Sequence, residues 1–162
     1  MTKLRVSAGL PACACLVLLT AACAQAKAWR RVVPLRTTRA QVERRLGKPN
    51  SGPYYDLKTE RAFVAYSSGR GCAGGEDWDV PRDTVVQIVV TPKTKLRLSD
   101  LRLDARRFKK SKAPEEAHAL YTDKEAGLTY EVYEGVGDDS GLVLHIQYDP
   151  AARDEHLRCR GN

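Results

Sequence analysis

The chain predicts an α+β protein, with one or two short N-terminal helices packed on an antiparallel sheet of four or five strands and a short C-terminal helix. Three stretches carry that expectation. "PLRTTRAQVERRLGKP" (Pro34 to Pro49) has helix start and stop signals, "TVVQIVVT" (Thr84 to Thr91) is β-branched and apolar on both faces, and "HALYTDKEAGLTYEVYEG" (His118 to Gly135) holds two strand-like runs around a turn.

In the helical stretch Thr38 suits the N-cap, Gln41 completes a capping box, and Gly47 followed by Pro49 ends the helix. The helix is expected from about Arg39 to Leu46, with Val42 and Leu46 inward at i, i+4 spacing. Eight residues fall below the roughly 12 to 15 at which an isolated helix becomes marginal in water, so the strands that follow must supply its apolar partner. Those strands are expected in "YYDL" (Tyr54 to Leu57), "RAFVAYSS" (Arg61 to Ser68), Thr84 to Thr91, the pair around the turn Asp123 to Gly127, and "LVLHIQYDP" (Leu142 to Pro150). A last helix is expected to start at Asp149, with Pro150 at its first position and Leu157 near its end.

Between the two halves, Leu96, Leu98, Leu101 and Leu103 mark an extended or single-turn segment laid along the core. Ala113-Pro114 then marks a break. The basic run Arg106 to Lys112 reads as solvated surface with Phe108 tucked inward. One aromatic offers no interleaved stacking platform for nucleic acid, and an exported protein rarely meets it.

Export follows from the first residues. Lys3 and Arg5 precede the apolar run Gly9 to Ala24, and small residues follow at Ala22, Ala24 and Ala26, the pattern of a secretory signal. Residues 1–26 are therefore expected to be a leader and 27–162 a single domain, placed in the periplasm, at the outer membrane or outside the cell. Two processing routes stand side by side. Cleavage after Ala24 or Ala26 frees the protein, whereas "LTAAC" (Leu19 to Cys23) resembles a bacterial lipobox and implies a lipid anchor on Cys23. The free form is ranked slightly ahead. The net charge of +7 falls to about +5 once Lys3 and Arg5 leave with the leader; a basic exported protein could meet anionic headgroups, wall polymers or acidic protein faces, but a solvated surface is the preferred reading.

Three of the five cysteines lie in the leader, which leaves Cys72 and Cys159 as one pair in an oxidising compartment. Their disulfide would tie the C-terminus to a mid-chain loop. His156 and Cys159 have a plausible metal-ligand spacing, but no second Cys or His pair accompanies them, so the disulfide is preferred.

"LRTTRAQVERRLGKPN", followed by tyrosines and a strand, resembles the opening helix motif of the small outer-membrane lipoproteins of the SmpA/OmlA type, which include the BamE component of the outer-membrane assembly machine. Thr38, Val42, Leu46, Gly47 and Pro49 carry the match. The resemblance implies helices on one face of an antiparallel sheet, as in those proteins and the related β-lactamase-inhibitor-like domains, and an envelope location. The matching letters are caps and core, so they speak for architecture more than for function. The mature chain as a whole, through "AWRRVVPLRTTRAQVERRLG", "GLTYEVYEG" and "YDPAARDEHLRC", resembles small secreted acidobacterial proteins, which implies export and one domain.

Catalytic readings are weaker. "GRGCAG" (Gly69 to Gly74) has G-x-G-x-x-G spacing, but "GEDWDVP" follows with no helical period, so the helix that would hold a pyrophosphate is missing. A Cys72 nucleophile served by His145 or His156 needs a free thiolate, which a disulfide removes. "GEDWD" (Gly75 to Asp79) and Asp138-Asp139 read as polar loops. The expectation is a non-catalytic envelope module that binds another envelope or secreted protein, without nucleic acid, metal or small-molecule cofactor. An inhibitor-like protein that presents Tyr54, Tyr55 and Trp78 to an extracellular enzyme is the alternative, and a small hydrolase or metal-binding protein comes third.

Overall fold

The structure is a computed structural model, and it describes residues 26–69, 72 and 78–159. All of the expected leader except Ala26, Cys23 included, and most of the expected glycine loop lie outside the described residues.

Among the described residues seven strands form one sheet: β1 (Tyr54–Asp56), β2 (Glu60–Tyr66), β3 (Val85–Pro92), β4 (Lys109–Lys112), β5 (His118–Asp123), β6 (Leu128–Tyr133) and β7 (Leu142–Tyr148). Their spatial order is β1-β2-β3-β7-β6-β5-β4, with every neighbouring pair antiparallel. The single α-helix among the described residues is α1 (Arg39–Leu46), and two 3-10 turns follow at Leu98–Leu101 and Ala152–Leu157.

This corrects the expected fold, in which one or two helices and a C-terminal helix accompany four or five strands. The sheet dominates, because even the three-residue β1 pairs in register and because Lys109–Lys112 also forms a strand. All four side chains of β4 are exposed, so no hydrophobic alternation announces it. Its register comes from β5 alone. At the C-terminus, the Asp149 N–H bonds to the Gly127 carbonyl and the Ala152 N–H to the Lys124 carbonyl. These bonds stitch the chain to the β5–β6 turn where a helix was expected to begin, and only a 3-10 turn fits after it.

That turn depends on Gly127, which has φ +63° and lies in van der Waals contact with the segment after β7. A Cβ there would come within 2.2 Å of the Asp149 carbonyl oxygen.

Helix α1 forms where its caps place it. The Gln41 side-chain oxygen accepts from the Thr38 N–H at 2.9 Å, and the Gly47 N–H, at φ +85°, donates to the Glu43 carbonyl. Val42 is fully buried in a cluster with Trp29, Val32, Tyr55, Ala62, Val64, Val85, Ile88 and Val90, with Leu46 packed at its edge. A smaller cluster of Leu35, Trp78 and Val80 packs against Leu157.

Cys72 and Cys159 are joined by a disulfide that closes a separation of 87 residues. In the chain-entropy view a loop of that length is stabilised by about 4 kcal/mol.

Candidate functional site

Registered pairs share a face, so the ladder divides the sheet into two surfaces. On one, Tyr55 meets Ala62, Val64 meets Ile88, and Val90 stands between Ala62 and Ile146. These residues form the core beneath α1, and Val132 and Ala119 continue the surface as buried positions across β6 and β5. On the other, Tyr54 meets Phe63, Phe63 meets Val89, and Thr91, His145, Glu131 and Leu120 continue the rows. None of the residues named on this second face is buried.

The open face is nonetheless not uniformly polar. Tyr54 is 45% exposed and its ring lies 5.4 Å from that of Phe63. With Arg61, Val89, Thr91 and His145, these rings line a shallow depression of about 330 Å³. Leu142 and Tyr133, paired in register, add a second apolar area. An apolar strip left on an outward sheet surface is the kind of feature that contact with another molecule covers.

Polar groups on this face are held in place. The Thr91 hydroxyl and His145 Nδ1 are 3.0 Å apart, which fixes the imidazole across β3 and β7. His118 Nδ1 lies 2.8 Å from Glu131 Oε1, and its ring meets Tyr133 edge-on. Glu115, His118 and Glu131 bring ligand atoms within 4.8 Å of one another, close enough to share one small cation. Asp56 pairs with Lys93 at 2.7 Å, and the hydrogen bond from that ammonium holds its carboxyl below the usual range.

Behind the sheet, burial raises the phenols. Tyr66, whose hydroxyl is 3.2 Å from that of Tyr55, is raised by burial and then by that hydrogen bond. Tyr148 is pushed up to about 12, first by burial and then by the neighbouring Tyr130 and Glu60.

A groove of about 690 Å³ lies at the other end of the molecule between the Leu98–Leu101 turn and β4–β5. Leu98, Leu103 and Phe108 give it an apolar wall, and Arg102, Lys110 and Tyr121 lie around it. Lys110 bridges to Glu134 at 2.7 Å, and Tyr121 donates to the same carboxylate. The Lys110 hydrogen bond, then that from Tyr121, lowers the Glu134 carboxyl. Burial, then the bond to Glu134, raises the Tyr121 phenol.

The expected site residues are separated by this geometry. Cys72 and Cys159 are joined, so neither offers a thiolate, and the pairing of Cys159 with His156 as metal ligands does not arise. His156 contacts the Arg153 carbonyl at 2.9 Å. Of the three aromatics expected to meet a partner, only Tyr54 is presented to solvent. Tyr55, one residue on, points into the core at 2% exposure, and Trp78 is 6% exposed beneath the Arg158 guanidinium.

Phe63, Val89 and the Glu115–His118–Glu131 group were not singled out from the sequence. The hairpin register could have found the last, because a turn at 123–127 sets His118 opposite Tyr133 and hence one face-neighbour from Glu131. No helix among the described residues is long and apolar enough to cross a membrane. Comparison with known proteins finds no matching family model, no matching curated protein and no matching solved structure.

Proposed function

We propose that this is an exported, non-catalytic envelope module that binds another envelope or secreted protein through the open face of its sheet. The observation that carries the reading is the Tyr54–Phe63–Val89 strip, apolar side chains set outward on three adjacent strands. Burying aromatic side chains at the centre of an interface, within a polar rim, is how protein contacts gain most of their affinity. Here Arg61, Thr91 and His145 would form that rim. The occupant is a folded protein surface with apolar residues at its centre.

The disulfide supports export, because a lone pair of oxidised cysteines persists in an oxidising compartment. The leader pattern at 1–26 supports the same location, and Cys23 would anchor the protein if the lipoprotein route is taken.

A photoreactive residue at position 63, in protein expressed in its own envelope, should yield one discrete adduct. The same probe at Lys48 should yield none, and Val89→Asp should abolish the adduct from 63. Equal adducts from both positions, or an adduct indifferent to Val89→Asp, would refute docking on this face. Intact mass reports the location separately: a chain starting at lipidated Cys23, or one starting at Gln25 or Lys27, agrees with export, and a chain retaining Met1 contradicts it.

A further inference from the structure

Among the described residues, strand β4 ends the sheet and its outer side has no strand beside it. The Ala113 N–H donates to the His118 carbonyl, so alternation directs Ser111 and Lys109 toward β5 and leaves the N–H and C=O groups of Lys110 and Lys112 facing outward. Two grooves flank this edge. The apolar one already described lies on the Lys110 and Tyr121 side. A second, of about 660 Å³, lies on the Lys109, Ser111 and Thr122 side, where Arg106, Arg107 and Lys124 line it together with Asp123 and Glu125.

The charge of this edge is largely uncompensated. Arg107 is held by Asp123 at 2.6 Å and Lys110 by Glu134, but Arg102, Arg106, Lys109 and Lys112 hold no carboxylate among the described residues. Lysines on an edge strand discourage a second copy from pairing there, since antiparallel self-pairing sets like charges against each other. The same lysines favour an acidic strand.

We propose that the outer edge of β4 captures an extended segment of another protein in which apolar and acidic residues alternate, adding an eighth strand to the sheet. Main-chain bonds to Lys110 and Lys112 hold the segment, and alternate side chains reach the two grooves. Apolar side chains enter the Leu98, Leu103 and Phe108 side, and acidic ones meet Arg106 and Lys109. This edge is separate from the Tyr54–Phe63–Val89 strip, so variants at Phe63 and Val89 leave its binding unchanged.

The test uses the mature chain and a short capped peptide alternating glutamate and valine. Binding is followed by fluorescence anisotropy and by amide exchange at Lys110 and Lys112. The peptide should bind in a salt-sensitive way and slow exchange at those two amides. Methylating its backbone nitrogens, or replacing its glutamates with lysines, should each weaken binding by about tenfold or more. Lys109→Glu with Lys112→Glu should do the same while circular dichroism stays native, and the methylated peptide carries the test even if that variant misfolds.

Undiminished binding of the methylated peptide would overturn strand addition. Binding indifferent to both charge changes would overturn the acidic specificity. A native chain that sediments as a dimer, dissociated by the double charge reversal, would assign the edge to a second copy and overturn the proposal. Binding to phosphatidylglycerol vesicles with none to the peptide would assign it to a lipid surface and overturn it too.

Discussion

The two faces of the sheet are built from neighbouring residues with opposite fates. Ile88 and Val90 lie fully inside the core beneath α1, while Val89 between them stands on the open side beside Phe63 and Tyr54. All three are β-branched, so chemistry does not separate them. Pleat and register do, because successive side chains of a strand leave on opposite sides. The closed face therefore carries packing, and the open face carries apolar side chains whose removal the fold should tolerate.

Truncation across that divide should give the largest contrast. Ile88→Ala should cost about 2–5 kcal/mol, the range for a buried isoleucine that leaves a cavity, whereas Val89→Ala should cost less than about 1 kcal/mol. Denaturant unfolding of both variants, with an unchanged m-value, measures this. Similar costs at 88 and 89 would mean that the open face is packed in solution.

Charges should follow the same division more weakly. Asp154 is 2% exposed and bonds to Arg36 at 2.7 Å, so Arg36→Ala should cost about 1–3 kcal/mol by leaving a buried carboxylate without its charged partner. Arg61 and Asp56 are 3.9 Å apart on the open face, and Arg61→Ala should leave the unfolding midpoint unchanged. A drop at Arg61 as large as that at Arg36 would erase the distinction.

The smallest effect is alkaline. Tyr148 packs at the edge of the core, and its folded pKa of about 12 exceeds the roughly 10 of an unfolded tyrosine. A raised pKa contributes stability that is fully present below the unfolded value and is lost as pH rises toward the folded one. Unfolding free energy should therefore begin to fall above about pH 10, and Tyr148→Phe should flatten that slope. Tyrosinate absorbance at each pH, alongside the unfolding midpoint, checks both.

The legible parts of the fold were those where residue type and position agree. Thr38, Gln41 and Gly47 set the limits of α1 unaided, and counting cysteines outside the leader found the Cys72–Cys159 bond. Strand β4 was hidden, because Lys109, Lys110, Ser111 and Lys112 are exposed and owe their conformation to β5. The tyrosine pair shows the limit at the site. Alternation requires Tyr54 and Tyr55 to part company, but which one faces the core depends on pairing with Phe63 and Ala62, a tertiary fact. In β3, apolar residues on both faces agree with its central place between β2 and β7, but they do not say which side the core covers.

The most direct measurement pairs stability with partner contact in Phe63→Asp combined with Val89→Asp. If the open face is a docking surface, this variant should unfold within about 1 kcal/mol of the native chain and yet lose its envelope partner, read by a photoreactive residue at Tyr54. A variant that keeps the full adduct, or one that unfolds as readily as Ile88→Ala, would contradict it.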